Sequence, residues 1–375
     1  METHTSSPSL NQVTDRCLHL EKFNRRVTAA GLLFPLALLA CGMAWCPAAT
    51  KSPAPTQRIV SASRVRLRSE PSLAGEAIRS LGVGTRLSVL EQTKKEESHD
   101  GIQEPWYRVQ APDGQRGWIY GACTMPFNPE QPGDSLRRLV RQRLAARGLG
   151  FLDYQDLCLF LRREASSVED PSLAAELELQ SYRVLRKSLE AVPFRQSDRS
   201  PYQEWLQREA FRIIYNGPAG EWIVRSESLW DLQKRYASLP IAEEIAWEAA
   251  TNPLPGECEG YLPCYLYWIN SREGRYLGLY PRGAHAGQAM ESVFQALCRL
   301  ARKMGQTVAV CPPANAFEGH MPIESIAPAD LPIIHKDIDS LRVAVAAASE
   351  PLRDDVFQVL DLLAERIRQL SESRQ

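Results

Sequence analysis

The hydrophobic period of this chain changes once, near residue 130, and that change limits the fold more than any other feature. Before it, apolar residues alternate. Val65 and Leu67 are interleaved with Arg66 and Arg68, and Leu87 and Val89 repeat the pattern loosely. Trp106-Tyr107-Arg108-Val109 and Gly117-Trp118-Ile119-Tyr120 read as two more strands, joined across a tight turn at Asp113-Gly114. About five short strands within residues 58–127 are too few for a sandwich and suit a small barrel. After the change the period is that of a helix. Leu136, Leu139, Val140 and Leu144 share one face, with Arg137, Arg138, Arg141 and Arg143 on a solvated one.

The helical pattern predicts segments at 134–147, 153–165, 172–191, 201–215, 228–237, 241–250 and 286–303. Turn residues and at most one short strand interrupt it at 216–224, and the proline-rich stretch 307–335 gives no clear pattern. The last helix is the plainest. Ser349 can cap it, Pro351 suits its first turn, and Asp354-Asp355 complement its dipole. Val356, Val359, Leu360, Leu363, Ile367 and Leu370 form one apolar stripe, read as core packing or a coiled-coil seam. The expected fold class is multidomain: a small all-β barrel at 58–127 followed by an all-α helical array at 134–375.

The amino terminus reads as an export signal. Lys22, Arg25 and Arg26 precede an uncharged apolar run at 29–40. The run ends in Leu38-Leu39-Ala40-Cys41, which resembles a bacterial lipobox with Cys41 as the acylated residue. The competing reading is an uncleaved anchor over 27–45, near the length that spans a bilayer. Residues 41–57 are rich in proline and small side chains and read as a tether. Lipid anchoring would place the protein in the bacterial cell envelope, facing the periplasm or the exterior.

Nine cysteines are present. Cys258 and Cys264 are separated by a segment with a glycine and a proline that can fold back, so in an oxidising compartment they read as a local disulfide. Two free buried thiols, or a metal site, are the alternatives. The metal reading would need two further ligands that no CxxC or HxxxH pattern supplies.

The β segment also carries a resemblance. Val65-Arg66-Leu67-Arg68-Ser69-Glu70-Pro71-Ser72 resembles the opening motif of bacterial SH3 (SH3b) domains, with arginine in place of the family's asparagine at 66 and glutamate in place of its glycine at 70. Trp106-Tyr107-Arg108-Val109 and Gly114 to Ile119 resemble the family's closing hairpin. Residues 91–105 are longer and more charged than usual and read as an exposed loop. The resemblance implies an SH3-like barrel that binds peptidoglycan or peptides. Trp106 and Trp118 are expected in the core, Tyr107 is the better candidate for an exposed ring, and Arg66, Tyr107 and Tyr120 are the candidate ligand-binding residues. Residues 276–289 resemble the helix-to-helix joint of tetratricopeptide-like envelope proteins, although no period of about 34 residues runs through the region.

Lys plus Arg number 44 against 45 Asp plus Glu, a net charge of −1, which argues against nucleic acid as a partner. No nucleophile elbow, P-loop or zinc-protease helix occurs, and no cofactor or metal is implied. The best catalytic candidates are Glu244 and Glu248, one helical turn apart, as the carboxylates of a wall-glycan hydrolase. The sequence therefore points to a non-catalytic envelope lipoprotein whose barrel binds peptidoglycan or peptide and whose helices bind an envelope protein. The alternative is a peptidoglycan-processing enzyme that uses Glu244 and Glu248.

Overall fold

A computed structural model describes residues 57–372, apart from 100, 314–321, 324 and 350. The export signal, Cys41 and the tether up to residue 56 lie outside the described residues. The chain divides into two compact units, Met1–Phe160 and Leu161–Gln375. Each is described by itself.

In the first unit, seven strands form one antiparallel sheet. They are β1 (Gln57–Val60), β2 (Val65–Arg68), β3 (Ala77–Leu81), β4 (Arg86–Gln92), β7 (Trp106–Gln110), β8 (Arg116–Tyr120) and β9 (Thr124–Pro126). Their order is β3-β2-β8-β7-β4-β1-β9. The expected turn between β7 and β8 is there, with Gly114 at φ 85°. Val65, Leu67, Leu81, Leu87, Val109 and Ile119 are each at most 5% exposed and fill one core. Burying such side chains stabilises the fold by roughly 1.5–3 kcal/mol apiece.

Residues 91–105 are not the plain exposed loop expected from their charge. β5 (Glu97–His99) and β6 (Ile102–Glu104) pair as a separate antiparallel hairpin. Ile102 is 5% exposed and belongs to the core.

Two helices of this unit follow the sheet, α1 (Pro132–Ala145) and the start of α2 (Phe151–Ser167). The apolar stripe Leu136, Leu139 and Val140 is buried as its spacing requires. Arg143 is not on a solvated face: it is 2% exposed, with Nη2 3.3 Å from Ser63 Oγ and 3.5 Å from Asp153 Oδ1. Gly84 has φ 81°, and a Cβ built there would overlap the Phe160 ring. The β-domain thus shares its packing with α1 and α2, and the division expected near 134 falls inside α2.

The second unit holds the rest of α2, then α3 (Pro171–Glu190), α4 (Tyr202–Arg208), α5 (Ser226–Arg235), α6 (Ala242–Ala250) and α7 (Leu262–Ile269). A π turn, Asn270–Gly274, leads into α8 (Arg275–Leu279), and α9 (Ala286–Lys303), α10 (Leu331–Ala347) and α11 (Arg353–Glu372) complete it. Asp170 caps α3, its side chain accepting from Ser172 N at 2.9 Å, with Pro171 in the first turn. The stripe of α11 is core: all six of its apolar residues are buried, and the helix packs on α9 and α10.

Three segments differ from expectation. The helix expected over 201–215 stops at Arg208, and β10 (Ile213–Asn216) pairs with β11 (Glu221–Val224) as a hairpin. The β-branched pair Ile213-Ile214 and the turn Gly217-Pro-Ala-Gly220 favour that outcome. α7 starts inside the turn-rich segment read only as a disulfide loop, because Pro263 is compatible with a first helical turn. α10 begins within the unassigned stretch 307–335.

Cys258 and Cys264 are bonded, with Cα atoms 5.4 Å apart. A second bridge, Cys298 to Cys311, ties α9 to the segment that follows it, with Cα atoms 5.7 Å apart. The loops they close correspond to about 2 and 3 kcal/mol of stabilisation.

Candidate functional site

The pleat decides which aromatic residues of the β-domain meet solvent. Tyr107 faces Ile119 across the β7–β8 ladder, whereas Trp106 faces Tyr120 and Arg108 faces Trp118. Side chains alternate along a strand, so Tyr107, Val109 and Ile119 share the face that is fully buried. Tyr107 is therefore a core residue, 8% exposed, and not the exposed ring expected. The Arg58 guanidinium lies 4.0 Å from its ring centroid. Arg58, itself 5% exposed, is held by Thr124 Oγ1 at 2.6 Å and the Thr124 carbonyl at 3.2 Å. Burial pushes the Tyr107 hydroxyl above its ordinary pKa.

Trp106 and Tyr120 lie on the other face, yet they too are buried, because the β5–β6 hairpin covers them. Trp106 Nε1 donates to Glu97 Oε2 at 2.8 Å. The Tyr120 hydroxyl sits 2.8 Å from the Glu97 carbonyl and 2.7 Å from that of Ile102. Burial raises its pKa to about 12. His99 stands edge-on to Tyr120 at 4.8 Å. Tyr120 is thus a structural latch for the hairpin and not a surface ring.

The cover ends before Trp118, which is half-buried. Its register places it beside Arg108 of β7 on one side and Arg68 of β2 on the other. Arg108 is half exposed and 3.6 Å from Glu91 of β4. Arg68 is buried and donates to the Gly75 carbonyl at 2.6 Å. Arg66, two residues back on β2 and therefore on the same face, is half-buried, and its side chain makes no hydrogen bond or ion pair among the described residues. An indole flanked by guanidinium groups can stack on a planar or sugar face and pair with a carboxylate. Of the two tryptophans that the sequence places in the core, Trp106 is buried there, whereas Trp118 packs against the core only from its edge and keeps part of its surface in solvent. The available signal was Ile119 beside it: if Ile119 points in, Trp118 points out.

In the second unit, the catalytic candidates are brought together with two arginines of α3. Arg183 of α3 donates from Nε to Glu248 Oε2 and from Nη2 to Glu244 Oε1, each at 2.6 Å. Arg186 donates to Glu248 Oε1 at 2.6 Å and to Asn252 Oδ1 at 3.0 Å. Burial alone would raise the Glu244 carboxyl, but Arg183 and then His285 outweigh it and hold the group below the usual carboxylate range. A glycosidase acid must instead keep its proton near neutral pH. This network ties α3 to α6. Asn252 extends it by donating to the Val224 carbonyl and Ser226 Oγ, both at 2.8 Å.

The same unit presents aromatic residues to solvent elsewhere. A cleft of about 370 Å³ between the end of α3 and the β10–β11 hairpin is lined by Phe194, Tyr215 and Trp222 with Glu190 and Glu221. Phe194 is 73% exposed, and Tyr215 and Trp222 form a tilted ring pair at 5.3 Å. Among the described residues, no group of histidine, cysteine and carboxylate side chains is arranged to hold a metal ion.

Comparison of the whole chain with curated proteins and with solved structures gives no match. Residues 63–124 do match a family, the bacterial SH3 domain, and that span takes in β2 through β8 and with them Arg66, Tyr107, Trp118 and Tyr120.

Proposed function

We propose that this protein is a binding component of the bacterial cell envelope, with the SH3b domain engaging peptidoglycan or a peptide through its Trp118 face. The observation that carries the reading is the match of residues 63–124 to the bacterial SH3 domain, a family coarsely consistent with cell-wall or peptide binding. The half-buried Trp118, with Arg66 and Arg108 on the same face, supplies the groups that such a ligand needs. Wall peptides carry carboxylates, and their glycan strands offer faces on which an indole can stack. The role of the helical unit in this reading is to bind an envelope protein, supported by its exposed Phe194 and Tyr215. Glu244 and Glu248 act in it as structural ion pairs.

Purified sacculi should sediment the wild-type protein at low salt. Trp118→Ala should weaken that binding about tenfold, and Arg66→Gln by a smaller factor, with the near-ultraviolet spectrum of the fold retained. A folded wild-type protein that stays in the supernatant removes wall binding from the proposal.

Anchoring through Cys41 belongs to the same reading, supported by the apolar run that ends at Ala40-Cys41. Labelled fatty acid should enter the wild-type protein in a bacterial host and not Cys41→Ser. Equal labelling of the two would remove the lipid anchor and leave the 27–45 membrane anchor in its place.

A further inference from the structure

A second cleft, of about 480 Å³, opens between α7 with its π turn on one side and α9 on the other. On the α7 side its wall departs from regular helix. Arg272, inside the π turn, has φ −109° and ψ −110° and breaks the helical path between α7 and α8. Single π turns inside helices recur at functional sites because they redirect side chains that regular geometry would point elsewhere. Here the redirected residues are Arg272 and Glu273, both of which line the cleft.

The charges around the cleft are unevenly distributed. Arg272 is already engaged, donating from Nε to the Ala250 carbonyl at 3.0 Å and lying 3.3 Å from Glu273 Oε1. Glu273 is 13% exposed at its side chain, and burial pushes its carboxyl above the usual range. These two groups largely answer each other. Arg299 is engaged less: it is exposed on the rim, its side chain makes no hydrogen bond or salt bridge among the described residues, and its charge only adds, after that of Arg272, to the pull on Glu273. Lys303 lines the cleft one turn further along α9, its amine 5.6 Å from the Tyr265 ring centroid. The acidic residue of the same helix face, Glu291, lies two turns towards the other end, about 12 Å along the axis from Arg299. The positive end of the cleft is therefore the Arg299–Lys303 end. Its wall is apolar, with Trp268 half-buried and Leu300 buried.

We propose that this cleft binds a small amphipathic anion, a carboxylate or phosphate joined to an apolar or aromatic body. The anionic group meets Arg299 and Lys303, and the body lies against Trp268. A guanidinium on an open rim forms charge-assisted hydrogen bonds without first breaking an internal pair, and the indole contributes a flat apolar surface. Nothing in this site involves the β-domain, so the proposal stands apart from wall binding.

The test is isothermal titration calorimetry of the full-length protein with 1-naphthyl phosphate and 1-naphthoate. Neutral 1-naphthol and inorganic phosphate are the comparisons. At least one naphthyl anion should bind, and both comparisons should bind about tenfold more weakly or worse. Which anion binds tighter identifies the preferred headgroup. Arg299→Gln should weaken the anion about tenfold and leave naphthol unchanged. Trp268→Ala should weaken the naphthyl anions towards the level of inorganic phosphate. Arg299 is exposed, so its variant should keep the wild-type circular dichroism spectrum. The proposal is overturned if neither naphthyl anion binds up to about 1 mM. It is overturned equally if naphthol binds as tightly as the anions, or if Arg299→Gln binds them as the wild type does.

Discussion

Gly84→Ala is expected to destabilise the β-domain by about 3 kcal/mol. Two costs combine. The residue sits at φ 81°, where a Cβ is disfavoured by roughly 1–2 kcal/mol, and the added methyl runs into the Phe160 ring. Overfilling a packed core costs a further 1–3 kcal/mol or so. Urea unfolding followed by circular dichroism measures the loss. The two costs can be separated by a double-mutant cycle with Phe160→Ala. Removing the ring relieves the steric part and leaves the conformational part, so the double variant should lose clearly less than the sum of the singles. Strict additivity would mean that Phe160 does not pack on Gly84.

The second large effect is expected at Glu248. Glu248→Ala leaves Arg183 and Arg186 facing each other across a hole, and the helical unit should lose about 3 kcal/mol, the low end for breaking a buried pair. The low end applies because the two arginine side chains keep 30% and 33% of their exposure. Glu244→Ala should cost less than about 1 kcal/mol, since that side chain is 45% exposed. The pH dependence follows from Glu244. Its folded carboxyl titrates below its unfolded value, so its stabilisation is complete above about pH 4.3 and fades as pH falls through the folded pKa. Replacement by glutamine should flatten that acid limb. If instead Glu248→Ala is as stable as the wild type, the network contributes nothing to holding α3 against α6.

Much of this architecture was legible in the residues. The change from period two to 3.6 located the β-domain and the helices, and the stripe on α11 was read residue for residue. The misses have physical causes. Trp106 is buried as its position on β7 suggests, but Tyr107 is not the outward ring, because it is an aromatic that fits the core under Arg58. The outer face was then covered over Trp106 and Tyr120 by a hairpin built from charged residues, whose pairing no local pattern announces. Arg58 and Arg143 are buried through partners 66 and 10 residues away in the chain, and single-residue hydropathy cannot register such partners. Glu244 and Glu248 were correctly seen to share a helix face. Their partners come from α3, about sixty residues earlier, whose arginines are spaced to meet them.

The position of β1 has a mechanical consequence. The first described residues of the chain form a strand bonded to β4 on one side and β9 on the other, with Arg58 clamped inside. A pull applied to the chain ahead of residue 57 enters the fold through that strand. An edge strand would peel away one hydrogen bond at a time. A strand held along both sides must break several bonds together before it slides, and Arg58 must be dragged out of the core with it. The leading end of the β-domain thus loads several hydrogen bonds at once under tension, a useful property for a protein whose preceding segment reads as a tether.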